Sequence, residues 1–235
     1  MALGTNRRGM TATYDLTGTV PVVEMVQEDG KFPAVPYALA STYCSDYLAQ
    51  LQRAAAFVDR AEVDRAAQVL TNAYVRGSTV FSCGNGGSAS IANHLQCDHL
   101  KGVRTGTDLV PKVVSLSSNV EVMTAIANDI SYDDVFSYQL ESQSRPGDVL
   151  VAISSSGRSR NIVNAIEWAS LHAVRTIALT GFDGGRVRDL AEVPLHVPCH
   201  NYGVVEDVHQ ALMHALAQYV RQSHMTPATL ESTTF

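Results

Sequence analysis

Two kinds of residue group in this chain have the types and spacing for chemistry. His94 and Asp98 stand four positions apart in a helical pattern, which puts an imidazole and a carboxylate on one helical face. Such a pair can share a metal ion or a substrate; the competing reading is a polar surface face. Glu206, His209, Gln210 and His214 follow on a later helical stretch. Lone histidines on helices usually serve as satisfied core or surface residues, so spacing alone selects none of them. The second group offers neutral donors. Cys83-Gly84-Asn85-Gly86-Gly87-Ser88 and Ser154-Ser155-Ser156-Gly157-Arg158-Ser159 each join an apolar run to a helical one. Glycine there lets the backbone take positive φ and lets a ligand approach the main chain. The N–H groups and dipole of the following helix favour an anion, most often a phosphate. A structural turn explains the first motif nearly as well, and helix capping the second. Two such turns in one chain favour binding. Neither holds G-x-G-x-x-G or Gly-Lys-Ser/Thr, which sets aside dinucleotide and P-loop sites.

The elements that must position these residues alternate. Apolar runs at 79–81, 110–116, 148–153, 176–180 and 193–197 read as strands, and 148–153 and 176–180 are apolar enough to be buried on both faces. Between them, helical patterns run over 89–100, 119–127, 132–142 and 161–172, with a short one opened by Gly184-Gly185 and a last one over 205–223. Alternation of this kind specifies an α/β fold with a parallel sheet covered by helices on both faces. In such a sheet ligands sit beyond the carboxyl ends of the strands, where both turns fall. Upstream, residues 37–76 repeat apolar positions at helical spacing with a charged break near Asp59. These two helices suit a hairpin, an oligomer contact or a plain cover for the core. Residues 1–36, rich in Gly and Pro, read as an N-terminal extension: an arm over a neighbouring subunit or partial disorder, with a short extended piece at 20–26. The main domain is expected over 37–225 and a polar tail over 226–235.

Composition narrows the partners. The 235 residues are 46% hydrophobic and 17% charged, and the net charge is -6, which argues against general affinity for nucleic acid or anionic membrane. A sugar phosphate is still accommodated, because local N–H and hydroxyl groups hold it. Cys44, Cys83, Cys97 and Cys199 are scattered without a Cys-x-x-Cys pair, as expected of reduced thiols. No apolar run nears the ~18 residues of a membrane span, and no signal-peptide pattern is read. A cytoplasmic protein is expected.

The Gly84–Ser88 turn, the Ser154–Ser159 run and the later Glu206-Asp207-Val208-His209 with His214, taken in order, resemble the sugar isomerase (SIS) fold, in particular the phosphoheptose isomerase group. The resemblance covers about 37–221. It implies a flavodoxin-like sheet, a homotetramer with active sites shared between subunits, and interconversion of sedoheptulose 7-phosphate and D-glycero-D-manno-heptose 7-phosphate. It also implies that Ser88, Ser154, Ser155, Ser156 and Ser159 hold the phosphate, with Asn85 positioning the sugar and Gly86 and Gly87 also binding substrate. Asp129 would orient a sugar hydroxyl, although a helix cap explains it nearly as well. The implied Zn²⁺ set is His94, Asp98, Glu206 and His214, with Asp98 as base, His214 as partnering acid/base and Glu206 also facing substrate. Three positions depart from the pattern: Asp98 stands for Glu, Glu206 for Gln, and Gly203 for an Asp. Glu206 and His214 are eight residues apart, about 12 Å along a helix, so both serve one site only if Glu206 lies at a frayed helix start or a neighbouring chain contributes. The departures leave two alternatives open: an isomerase of another phosphosugar in nucleotide-sugar or natural-product assembly, or a non-catalytic SIS protein that binds a regulatory partner.

Overall fold

The computed structural model describes residues 32–235. The expected arm lies outside the described residues up to position 31, as does the extended piece at 20–26.

Helices α1 (Ala40–Ala56) and α2 (Arg60–Arg76) break where the charged residues fall, and the Asp59 side chain caps α2 by accepting from the Ala61 N–H. Strand β1 (Thr79–Gly84) then enters α3 (Gly87–Cys97), which continues as a π-helical turn, Asp98–Val103. Next come β2 (Lys112–Ser115), α4 (Val120–Asp129), a 3₁₀ turn (Tyr132–Asp134) and α5 (Ser137–Gln143). The second half runs β3 (Val149–Ser154), α6 (Arg160–Leu171), β4 (Arg175–Thr180), α7 (Gly185–Leu190), β5 (Val193–His196), α8 (Tyr202–Gln222) and α9 (Pro227–Glu231).

The five strands are parallel in the order β2-β1-β3-β4-β5, the flavodoxin-like order. Alternation along β3 sends Val149, Val151 and Ile153 to one face with α2, α3 and α8, and Leu150 and Ala152 to the other with Phe136, Ile162 and Ile166. Each large apolar side chain so buried contributes about 1.5–3 kcal/mol. A smaller cluster (Ala54, Val58, Val204, Val208) docks α1 on the start of α8.

Four differences from the sequence reading matter. The helix expected over 132–142 is interrupted at Val135 and Phe136, which are fully buried; the chain turns there to drive Phe136 into the core. The last helix starts at Tyr202 rather than 205, because Asn201 caps it through the Val204 N–H. Glu206 therefore sits inside regular helix. The expected polar tail holds α9, and Phe32 packs near the rings of Tyr37, Tyr43 and Tyr47.

Candidate active site

Both glycine- and serine-rich turns leave the carboxyl ends of adjacent strands, since β1 pairs with β3. Together they line one pocket of about 150 Å³ with Asn85, Ser88, Ser154, Ser155, Ser156 and Ser159 in its wall. Ser155 Oγ is buried there with no protein partner, a donor left for a ligand. The Ser159 side chain makes no cap bond to α6, so it too is not consumed by the helix.

Backbone packing holds the second turn in shape. Gly157 has φ 63, and a Cβ there would stand 2.5 Å from the Gly184 carbonyl carbon and closer to its oxygen. The Val187 N–H donates to the Gly157 carbonyl at 3.1 Å. Gly184-Gly185, read in the sequence as a helix opener, is thus the surface on which the phosphate-sized loop rests.

Asn85 is fixed by a reciprocal amide pair with Asn161 (2.9 and 3.0 Å) and by Tyr132, whose hydroxyl donates to Asn85 Oδ1 at 2.8 Å. Tyr132 is expected near the pocket by resemblance, whereas Asn161 escaped the sequence reading as a site residue. Only the position of Asn161 just after the serine run hinted at it. Tyr202, in the first turn of α8, also lines the pocket. Asp129 is exposed at the end of α4 and accepts from Asn128 Nδ2 at 2.7 Å; no contact brings it to the pocket wall.

The ionisable residues divide between two places along α3. Asp98 lies 3.2 Å from His94 Nε2 and 3.4 Å from His214 Nε2, and the two imidazole nitrogens are 3.3 Å apart. Gln210 Nε2 adds a contact at 3.0 Å to His214; its place one turn before His214 was the signal available. Glu206 is not in this group. Its carboxylate lies over Gly87 at the start of α3, where a Cβ on Gly87 would be 2.7 Å from the Glu206 carboxyl carbon. His94 is seven residues farther along α3, about 10 Å at the helical rise. Glu206 thus belongs to the serine pocket, and burial, then the charge of Asp207, push its carboxyl up from the ordinary range.

At Gly203 a Cβ would stand 2.9 Å from the Tyr47 hydroxyl, which donates instead to Asp207 at 2.6 Å. An aspartate at 203 needs that phenol to move. His209 does not join the site: it is fully buried against the sheet, and burial pushes it down to about 4.

A phosphate-sized cradle of hydroxyls and amides beyond the carboxyl ends of two central parallel strands, with an imidazole–carboxylate pair farther along the helix that leaves it, is the arrangement of a SIS-type sugar-phosphate protein. The SIS domain model matches residues 42–181. The phosphoheptose isomerase of Colwellia psychrerythraea strain 34H is 38% identical over 174 residues, covering 73% of this chain and 88% of that protein. That of Akkermansia muciniphila is 36% identical over 161 residues, covering 68% and 85%. The structure of phosphoheptose isomerase from Neisseria gonorrhoeae superposes with a TM-score of 0.71 at 30% identity, over 78% of this chain and all of the other. This chain belongs to the phosphoheptose isomerase family of SIS-domain proteins.

Proposed function

We propose that the chain is an aldose–ketose isomerase that interconverts sedoheptulose 7-phosphate and D-glycero-D-manno-heptose 7-phosphate through an enediol. The observation that carries this reading is the placement of two unlike groups along α3: a cradle of hydroxyls and amides at its start, which Glu206 also lines, and the His94, Asp98, His214 group at its end. A phosphate ester fits the first, held by Ser88, Ser154, Ser155, Ser156 and Ser159, while Asn85, locked by Asn161 and Tyr132, orients the sugar. The carbonyl end then reaches the second. Asp98 takes the proton from the carbon beside the carbonyl, and His214 exchanges a proton with the oxygen, so the same pair returns both on the way to product.

The donor set fits zinc. Imidazole nitrogens and a carboxylate oxygen are the donors that zinc takes. His94, Asp98 and His214 would hold the ion, each offering one ligand atom within 4.8 Å of the others. A zinc ion held there would polarise the substrate oxygens as a Lewis acid. Glu206 lies too far along α8 to join as a fourth ligand from the same chain, so its participation in the metal set needs a second copy. A homo-oligomer, taken as a tetramer with sites shared between subunits, is the arrangement in which Glu206 would reach a metal set at all. A non-catalytic SIS protein has no use for the assembled trio, which disfavours the regulatory alternative. Among the described residues no helix is long and apolar enough to cross a membrane, and the four cysteines are free, which supports a cytoplasmic setting.

Incubation with sedoheptulose 7-phosphate and a panel of other ketose phosphates, followed by ¹³C NMR, tests the assignment. Formation of D-glycero-D-manno-heptose 7-phosphate in preference to the other aldoses supports it; turnover of a different ketose phosphate alone overturns it.

A further inference from the structure

The outer side of the serine loop carries a feature that the isomerase reading leaves unused. Arg158, Arg160 and Arg186 converge with Val163, Asn164 and Glu167 on a cavity of about 470 Å³. It shares no lining residue with the serine pocket. Arg160, Val163, Asn164 and Glu167 follow one another at the spacing of a single helical face on α6, Arg158 comes from the loop itself, and Arg186 from α7.

The charges there are arranged at a local cost. Arg160 is the first residue of α6, whose first turn has no acidic side chain, so a cation stands at the positive end of a helix dipole. Carboxylates offset the cluster only in part. Asp183 pairs with Arg158 and Glu167 with Arg186, each through one edge of a guanidinium that has five donors. Arg160 approaches Asp133 only at 3.8 Å with its side chain 76% exposed, and no hydrogen bond to protein is formed by it among the described residues. A sequence that breaks a local rule without gain to the fold is expected to do so at a functional site. The three guanidinium groups, each more than 60% exposed, leave donors facing an open groove wide enough for a small anion.

We propose that Arg158, Arg160 and Arg186 form a second anion site, distinct from the sugar-phosphate cradle, that takes a small molecule bearing a phosphate or pyrophosphate group. Guanidinium forks match phosphate oxygens in charge and geometry. Because Arg158 lies between Ser156 and Ser159, an occupant of the outer site bears on the loop that lines the inner one.

Pyrophosphate titrated into the full-length protein by isothermal calorimetry tests this. Two binding events are expected in the wild type, one in R160Q/R186Q and the other in S154A/S155A. The outer event weakens by about tenfold or more in the arginine variant, while isomerase turnover without pyrophosphate is retained. Should the double variant fold poorly by circular dichroism, R160E alone serves, since the exposed Arg160 side chain holds nothing in place; it must weaken the same event. A single event that survives R160Q/R186Q or R160E and disappears in S154A/S155A overturns the proposal, as does the absence of any event that the arginine substitutions alter. Neither result depends on which sugar phosphate the enzyme turns over.

Discussion

Gly157→Ala measures how far the cradle depends on the backbone contact beneath it. Gly157 has φ 63, and an L residue in the left-handed region costs roughly 1–2 kcal/mol. The added Cβ would stand 2.5 Å from the Gly184 carbonyl carbon, whereas carbon atoms pack at about 3.5–4.0 Å. The loop must therefore withdraw by about 1 Å, and such overpacking costs a further ~1–3 kcal/mol. The sum is about 2–5 kcal/mol of stability. Gly147→Ala is the control, since Gly147 has φ 92 with nothing within 4 Å of its Cβ position, and it should lose only the backbone part. Urea unfolding of both variants separates the two costs. Because the 1 Å shift also displaces Ser155 and Ser156, kcat/KM for the sugar phosphate should fall by about 10²-fold in G157A and stay near wild type in G147A. Equal losses in the two variants would refute the claim that the Gly184-Gly185 surface shapes the cradle.

Tyr132→Phe removes the donor at 2.8 Å to Asn85 Oδ1; a rise in KM of several-fold is expected, from a net bond of about 0.5–1.5 kcal/mol, with kcat little changed, and an unaltered KM would remove Tyr132 from the site. His99 and His209 are each buried and pushed down to about 4 from 6.5. Between those values the unfolded chain binds protons that the folded chain does not, so stability is full above about pH 6.5 and falls as the pH drops toward 4. Among the described residues His209 makes no hydrogen bond of good geometry, only a weak approach to the Thr180 backbone. His209→Leu should therefore flatten the loss by on the order of 3 kcal/mol and change stability little at pH 8; chemical unfolding across pH 4–8 reads both, and an unchanged slope contradicts the placement.

Local pattern carried most of the architecture. The apolar runs that became β3 and β4 were recognisable as strands from their unbroken hydrophobicity, and the two turns, each ambiguous alone with a plain turn or a cap, pointed to a cradle only because there are two of them. His94 and Asp98 were legible as a pair because helical spacing is a short-range rule, and α8 brings His214 to them as expected. What escaped depends on long-range packing or on caps. Asn201 adds a turn to α8, and that turn puts Glu206 within regular helix beside Gly87 instead of with the histidines. Val135 and Phe136 break a helix whose pattern reads continuously, because the core has room for Phe136. The π-helical turn after Asp98 has no pattern of its own. Tyr132, Asn85 and Asn161 meet from three separate segments, and nothing in the spacing of any one of them specifies the other two.

The most direct test of the central claim is Asp98→Asn, read by turnover and by sugar-phosphate binding on the same preparation. The account predicts that kcat falls by about 10²–10⁴-fold while the dissociation constant, set by the serine cradle about 15 Å away along the helix, stays within a few-fold of wild type. Turnover at the wild-type rate in D98N would contradict it.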